Sequence, residues 1–313
     1  MALFPASLVD NIERVIVGKR AAVSQTVAAL VADGHILIED VPGVGKTVLA
    51  KALARSLDME FKRVQFTPDL LPSDITGVSI YNQKTEEFEF RAGPIFAQVL
   101  LADELNRATP RTQSALLEGM DERQVTADGQ VHPLPDPFFV IATQNPIEQE
   151  GVYRLPEAQL DRFLMKISLG YPQPVEEARI VEDQRLSHPL QSLQPVGAAA
   201  DVLQARAAAR EIHVDSAISD YIIRLVGATR RHKDILLGAS PRASLALHRA
   251  SQAMALVLGR DYIVPDVPKA LAAPILRHRL ILKAQARISG RTPDQVIGEI
   301  LEGIEVPVCH YGP

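Results

Sequence analysis

The sequence predicts an α/β domain built on a parallel sheet, followed by a domain that is almost wholly helical. Three observations carry this. Short apolar runs alternate with helix-period segments as far as Leu169. Helical spacing alone continues from Val175 to Ile304. Between them lies Tyr171-Pro-Gln-Pro174, a proline-bearing connection of the kind that joins domains. The boundaries expected are residues 1–171 and 172–313.

The elements follow in order. Leu8 to Val15 is apolar at helical spacing, and a second helix runs from about Ala21 to Ala32, stopping at Asp33-Gly34. His35 to Glu39 reads as a short buried strand, and Lys46 to Leu57 as an amphipathic helix. Phe61 to Phe66 is the next strand. Val78 to Tyr81 and Glu87 to Arg91 alternate with period two around the polar Asn82 to Glu86, which predicts a hairpin. Val99 to Ala102 is a continuous apolar strand ending in Asp103-Glu104, and Pro110 starts a helix through Met120. A second hairpin flanks Ala127-Asp-Gly-Gln130. Phe138 to Thr143 and Met165 to Leu169 supply the last two strands. Beyond the boundary the helices expected are 175–185, 199–210, 216–230, 242–258, 267–282 and 293–304.

Composition narrows the class. The chain has 313 residues, 47% hydrophobic and 23% charged, ordinary values for a globular protein with a large core. A net charge of −5 argues against a broad nucleic-acid surface, which needs a basic excess. The single cysteine, Cys309, forms no internal disulfide or zinc cage and reads as an incidental tail residue. Met1 to Asp10 lacks the basic and apolar regions of a signal peptide, and no apolar run approaches the ~18 residues that span a bilayer. A cytoplasmic protein without a membrane span is expected.

Chemistry concentrates where strands end. Asp40-Val-Pro-Gly-Val-Gly-Lys-Thr47 lies between a strand and a helix and resembles the Walker A loop G-x-x-x-x-G-K-[ST]. Pro42, Gly43, Val44, Gly45, Lys46, Thr47 and Val48 are the expected phosphate-side contacts. The glycines let backbone N–H groups turn toward phosphates, Lys46 reaches the β- and γ-phosphates, and Thr47 offers a hydroxyl to Mg²⁺. Asp40 stands where the pattern has its first glycine. Asp103, at the end of its apolar strand, is the second expected Mg²⁺ ligand, and Glu104 is placed to polarise the attacking water. At the tip of the next strand Asn145 is the chosen sensor of the γ-phosphate, ahead of Thr143 and Gln144. A satisfied turn asparagine before Pro146 is the bland alternative. Arg162, on a short helix before the last strand, is suited to stabilise charge on a neighbouring subunit's γ-phosphate. The alternative is a local ion pair with Asp161 or Glu157.

Asp103-Glu-Leu-Asn-Arg-Ala108, Gln113-Ser-Ala-Leu-Leu-Glu-Gly-Met120, Ala142-Thr-Gln-Asn-Pro146 and Leu155-Pro-Glu-Ala-Gln-Leu-Asp-Arg-Phe163 together resemble the MoxR family of AAA+ ATPases, over nearly the whole chain. The resemblance implies a P-loop AAA+ core with a parallel sheet and an all-α lid, with ATP and Mg²⁺ as cofactors. It implies that Arg162 is an arginine finger and that Arg242, in Gly238-Ala-Ser-Pro-Arg-Ala243, is the sensor 2 arginine. Whether Arg242 serves its own subunit or the next stays open. It implies that Val17 and Gly18 lie near the adenine. It further implies a ring, usually a hexamer, that remodels or matures protein clients, often ones with a von Willebrand factor A domain. Val152 and Arg154 depart from the family pattern, where Thr and Pro are expected.

The two hairpins resemble inserts of this AAA+ branch that line a pore, and the alternative is ordinary surface hairpins. Arg107 either contacts the next subunit or caps a helix. A DNA motor and a nucleotide switch that does not hydrolyse are the rival functions. Acidity weighs against the first, and Glu104, Asn145 and Arg162 against the second.

Overall fold

The computed structural model describes residues 3–146 and 152–308, so Cys309 lies outside the described residues. In chain order the first half contains α1 (Leu3–Glu13), α2 (Arg20–Val31), β1 (Ile36–Glu39), α3 (Lys46–Ser56), β2 (Phe61–Gln65), α4 (Pro72–Thr76), β3 (Gly77–Asn82) and β4 (Glu87–Ala92). It continues with β5 (Val99–Asp103), α5 (Pro110–Glu122), β6 (Gln124–Ala127), β7 (Gln130–Pro133), β8 (Phe139–Gln144), α6 (Glu157–Leu160) and β9 (Met165–Ile167). Then come α7 (Pro174–Asp183), α8 (Ala199–Arg210), α9 (Ser216–Thr229), β10 (Ile235–Leu237), α10 (Pro241–Val257), α11 (Asp266–Leu276), β11 (Ile281–Leu282), α12 (Ala284–Ile288) and α13 (Pro293–Gly303).

Five strands form one parallel sheet in the order β2-β5-β8-β1-β9. Its central strands β5 and β8 are almost wholly apolar and buried because both faces are covered, whereas the edge strand β2 is partly exposed and carries Lys62, Arg63 and Gln65. Ile36, Ile38, Leu101, Ile141 and Ile167 point to one apolar cluster, while Leu37, Leu100, Ala102, Val140 and Ala142 point to another. The first cluster runs without a break through α1, α2 and α3 into α8, α9, α10 and α11, so the N-terminal helices mediate between sheet and helical half. The second packs α5 against the opposite face. Local capping fixes the helix starts: Thr109 accepts from the Thr112 N–H ahead of Pro110, and Asp215 accepts from the Ala217 N–H.

Both expected hairpins form, β3 with β4 and β6 with β7, each antiparallel. They meet where Phe90 stacks on His132, with ring centroids 3.8 Å apart. Tyr81 and Phe88 form an exposed edge-on pair on the first hairpin.

Three expectations are corrected. The helical half also holds a two-stranded antiparallel sheet, β10 with β11. The helix expected over 267–282 therefore ends at Leu276. Just beyond it, Arg279 turns inward and donates to the Asp161 carboxylate and to the carbonyls of Phe163 and Leu164. Those tertiary bonds override the helical period. Arg162, expected on a short helix, lies just past the end of α6.

Candidate functional site

At the carboxyl ends of β1, β5 and β8 lies a cavity of about 320 Å³, lined by Pro42, Gly43, Gly45, Lys46, Thr47, Val48, Asp103, Glu104 and Asn145. Loop 40–45 leaves β1 and feeds the N-terminus of α3. Gly43 and Gly45 have φ of 86° and 95°, a left-handed turn that side chains with a Cβ resist. A Cβ at Gly43 would meet no atom within 4 Å, so the loop borders open space there. Val44 packs behind it against the core. An eleven-residue helix beginning at Lys46 directs its positive end to the cavity, a ready anion site. The Lys46 ammonium donates to the Asp40 carbonyl at 2.7 Å.

The carboxylates are held from two sides. The Thr143 hydroxyl donates to Asp103 at 2.6 Å and accepts from the Glu104 N–H at 2.9 Å. Arg63 donates to Asp103 through Nε at 3.1 Å and Nη2 at 2.8 Å. Glu104 accepts from Arg107 at 2.9 Å and from Gln65. Its backbone is left-handed, with φ of 57°. Arg63 and Gln65 were not anticipated. They sit on edge strand β2, whose parallel register sets Gln65 beside Asp103. The only signal for them was the polar alternation around Val64. Arg107 engages Glu104 of its own chain.

A hydroxyl and a carboxylate on one cavity wall, Thr47 and Asp103, are hard oxygen donors that suit Mg²⁺ beside phosphate oxygens. Asn145 is buried at the cavity's edge, one residue past β8. Gln144 instead donates to Glu39.

Four expected residues lie elsewhere. Val17 is buried and does not line this cavity. Gly18, φ 74°, faces the Glu176 carboxylate so closely that a Cβ would stand 1.9 Å from Oε1. Arg162 pairs with Asp121 at 3.0 Å, and not with Asp161 or Glu157. Asp161 is taken by Arg279, and Arg242, at the start of α10, stands 3.9 Å from that same carboxylate. Arg162 lines a separate cavity with Glu118, Glu122 and Gln159. The two arginines thus share one region, and neither lines the phosphate-side cavity.

Asp40, the departure from the Walker pattern, is buried. Its carboxylate accepts from the N–H groups of Val41, Leu169 and Gly170 and from the Ser168 hydroxyl. Around Val152 and Arg154, the Tyr153 N–H donates to the Asn106 carbonyl, and Gln113 donates to the Tyr153 carbonyl. Nothing in the structure explains the side chains at 152 and 154.

Residues 35–165 match a family profile described as ATPase family associated with various cellular activities (AAA), and residues 227–300 one described as AAA lid domain. The chain is 52% identical to the uncharacterized protein YeaC of Bacillus subtilis, over 96% of this chain and 94% of that one. It is 44% identical to Chaperone MoxR1 of Mycobacterium tuberculosis, over 97% of this chain and 82% of that one. A solved structure from Cytophaga hutchinsonii, described as a candidate ATPase, superposes with a TM-score of 0.90 at 40% identity, covering 98% of this chain and 97% of the other.

Proposed function

The chain belongs to the MoxR family of AAA+ ATPases, and we propose that it binds ATP with Mg²⁺ in the cavity between β1, β5 and β8 and hydrolyses it as one subunit of a ring. Residues 1–171 serve as the nucleotide-binding core and 172–313 as the lid. The loop Pro42 to Val48 cradles the phosphates, and Lys46 neutralises them. Bound Mg²⁺, held by Thr47 and Asp103, would offset charge on the phosphate oxygens. Glu104 takes the proton of the attacking water, and Asn145 orients that water. Val17 and Gly18, outside the phosphate-side cavity, are proposed to lie near the adenine and to contact it mainly through their backbone.

One observation carries the ring. The cavity gathers a cradle, two metal ligands, a base and an asparagine, while Arg162 and Arg242 lie together around Asp121 and Asp161. A site complete except for its arginine needs a neighbour. In a head-to-tail ring, that neighbour presents both Arg162 and Arg242 in trans. Six subunits is the number the family implies.

The work done with ATP is the remodelling or maturation of protein clients. Similarity to a protein named a chaperone supports this, as does the exposed Tyr81–Phe88 pair on hairpins suited to gripping a chain. Clients with a von Willebrand factor A domain are the class proposed, and the cytoplasm is the compartment. Among the described residues no helix is long and apolar enough to cross a membrane. A DNA motor is disfavoured by the net charge of −5, and the carboxylate-asparagine pair disfavours a switch that does not hydrolyse.

Glu104→Gln tests the reading. It should keep ATP affinity, lose turnover because an amide cannot take the proton, and trap the client in pull-downs. Undiminished turnover would remove Glu104 from its role.

A further inference from the structure

Asp40 opens the phosphate loop, and the chemistry above leaves its side chain without a task. In the Walker pattern a glycine stands there, and a glycine could form none of its side-chain bonds. The carboxylate is buried and satisfied by four neutral donors. Three of them converge on Oδ2: the Leu169 and Gly170 N–H groups, each at 2.7 Å, and the Ser168 hydroxyl at 2.9 Å. Hydrogen bonds to a buried carboxylate are among the stronger ones a protein makes. Residues 168–173 are the covalent passage from β9 into α7, and so from the sheet to the helical half. The same residue's backbone carbonyl accepts the Lys46 ammonium at 2.7 Å. Asp40 therefore touches the phosphate-sensing lysine with its main chain and the interdomain passage with its side chain.

The passage is gripped from a second side. The Lys19 ammonium donates to the Tyr171 carbonyl at 2.7 Å, and Gly18 abuts Glu176 in the first turn of α7. Phosphates attract an ammonium far more strongly than a carbonyl does, so filling of the cradle would draw Lys46 from Asp40 and release the loop whose carboxylate is bound to residues 168–170.

We propose that Asp40 is a positioning residue that transmits occupancy of the phosphate cradle to the 168–170 passage and thereby to the helical half. The inference rests on the reading of the cavity as an ATP site. It assigns a task to the very residue that departs from the Walker pattern, and it makes the passage respond to the phosphates.

Full-length Asp40→Gly and Asp40→Asn proteins test it. Three quantities are measured: affinity for a slowly hydrolysed ATP analogue with Mg²⁺, steady-state kcat and KM, and amide exchange at Leu169 and Gly170 with and without the analogue. In the unaltered protein, exchange at the two amides should change on binding. In Asp40→Gly that difference should vanish and kcat should fall about fivefold or more, the scale of ordinary coupling between sites, with affinity within about threefold. Asp40→Asn keeps an oxygen toward Leu169 and Gly170 and should recover part of both effects. Should Asp40→Gly fail to fold, Asp40→Asn together with Ser168→Ala, which deletes one donor, should show the same pattern in milder form. A nucleotide-dependent exchange difference that survives in Asp40→Gly overturns the proposal. So does a parallel loss of affinity and melting temperature with kcat unchanged, the mark of a merely structural role. Failure of the unaltered protein to bind the analogue would instead overturn the ATP reading, and the inference with it.

Discussion

Replacing Arg162 with alanine separates a trans arginine from an ornamental one. The residue costs little to remove. Its ion pair with Asp121 is partly exposed on both sides, 30% and 38%, and such pairs contribute roughly 0.2–1 kcal/mol. The variant should therefore fold and assemble. Because the guanidinium does not line its own subunit's cavity, ATP affinity of the isolated subunit should barely change. Turnover should fall by about 10³–10⁵, the usual contribution of an arginine finger. Mixing then supplies the decisive assay. Glu104→Gln subunits carry a sound arginine and a dead site, whereas Arg162→Ala subunits carry a sound site and no arginine. In rings assembled at random from equal amounts, about one interface in four joins a sound site to a sound arginine. Steady-state turnover should return to about a quarter of normal from two nearly inactive proteins, if each interface acts independently. Co-purification of untagged Glu104→Gln protein with affinity-tagged Arg162→Ala protein, in the presence of the ATP analogue and Mg²⁺, verifies that the two proteins share rings. Shared rings without recovered turnover would refute the trans assignment and leave Arg162 as a partner of Asp121.

Lys46→Ala should abolish ATP binding in calorimetry, since it removes the only lysine lining the cavity; retained affinity would move the phosphates elsewhere. A second prediction concerns acid. His35 is buried with Nδ1 accepting from the Val140 N–H, and burial, reinforced by Arg123, holds its pKa well below the usual 6.5. Burial and then Arg279 do the same to His278, whose Nε2 bonds the Phe163 carbonyl. Both rings are neutral when folded, so the unfolded chain binds more protons below pH 6.5. Stability is full above that value and is lost progressively as pH falls below it. The urea midpoint of the unaltered protein should be lower at about pH 5.5 than at about pH 7.5. His35→Gln should weaken that dependence, and an unchanged slope would contradict the argument.

The phosphate cradle was legible because its parts are contiguous: two glycines, a lysine and a threonine between a strand and a helix. Asp103, Glu104 and Asn145 were legible because each closes an apolar strand, and parallel strands deliver their carboxyl ends to one edge. Arg63 and Gln65 were not legible, since finding them requires knowing that β2 neighbours β5. Asp40 read as a defect because its partners lie at 168–170, remote in sequence. Arg162 was offered the wrong partners because Arg279, beyond a helix drawn too long, had already claimed Asp161. The β10–β11 pair escaped for a related reason. Ile281-Leu282 continues the apolar period of α11, and Leu236 and Leu237 are exposed, so neither strand shows the alternation of a half-buried sheet.

Glu104 holds a left-handed backbone that glycine and asparagine adopt with less strain. With Glu104 as the proposed base, backbone ease and catalysis pull this position in opposite directions. Directed evolution that rewards heat resistance alone should drift toward asparagine or glycine at 104 and yield hardier proteins that no longer turn over. Engineers seeking a rugged scaffold of this type would do well to freeze residue 104 and look for added stability elsewhere.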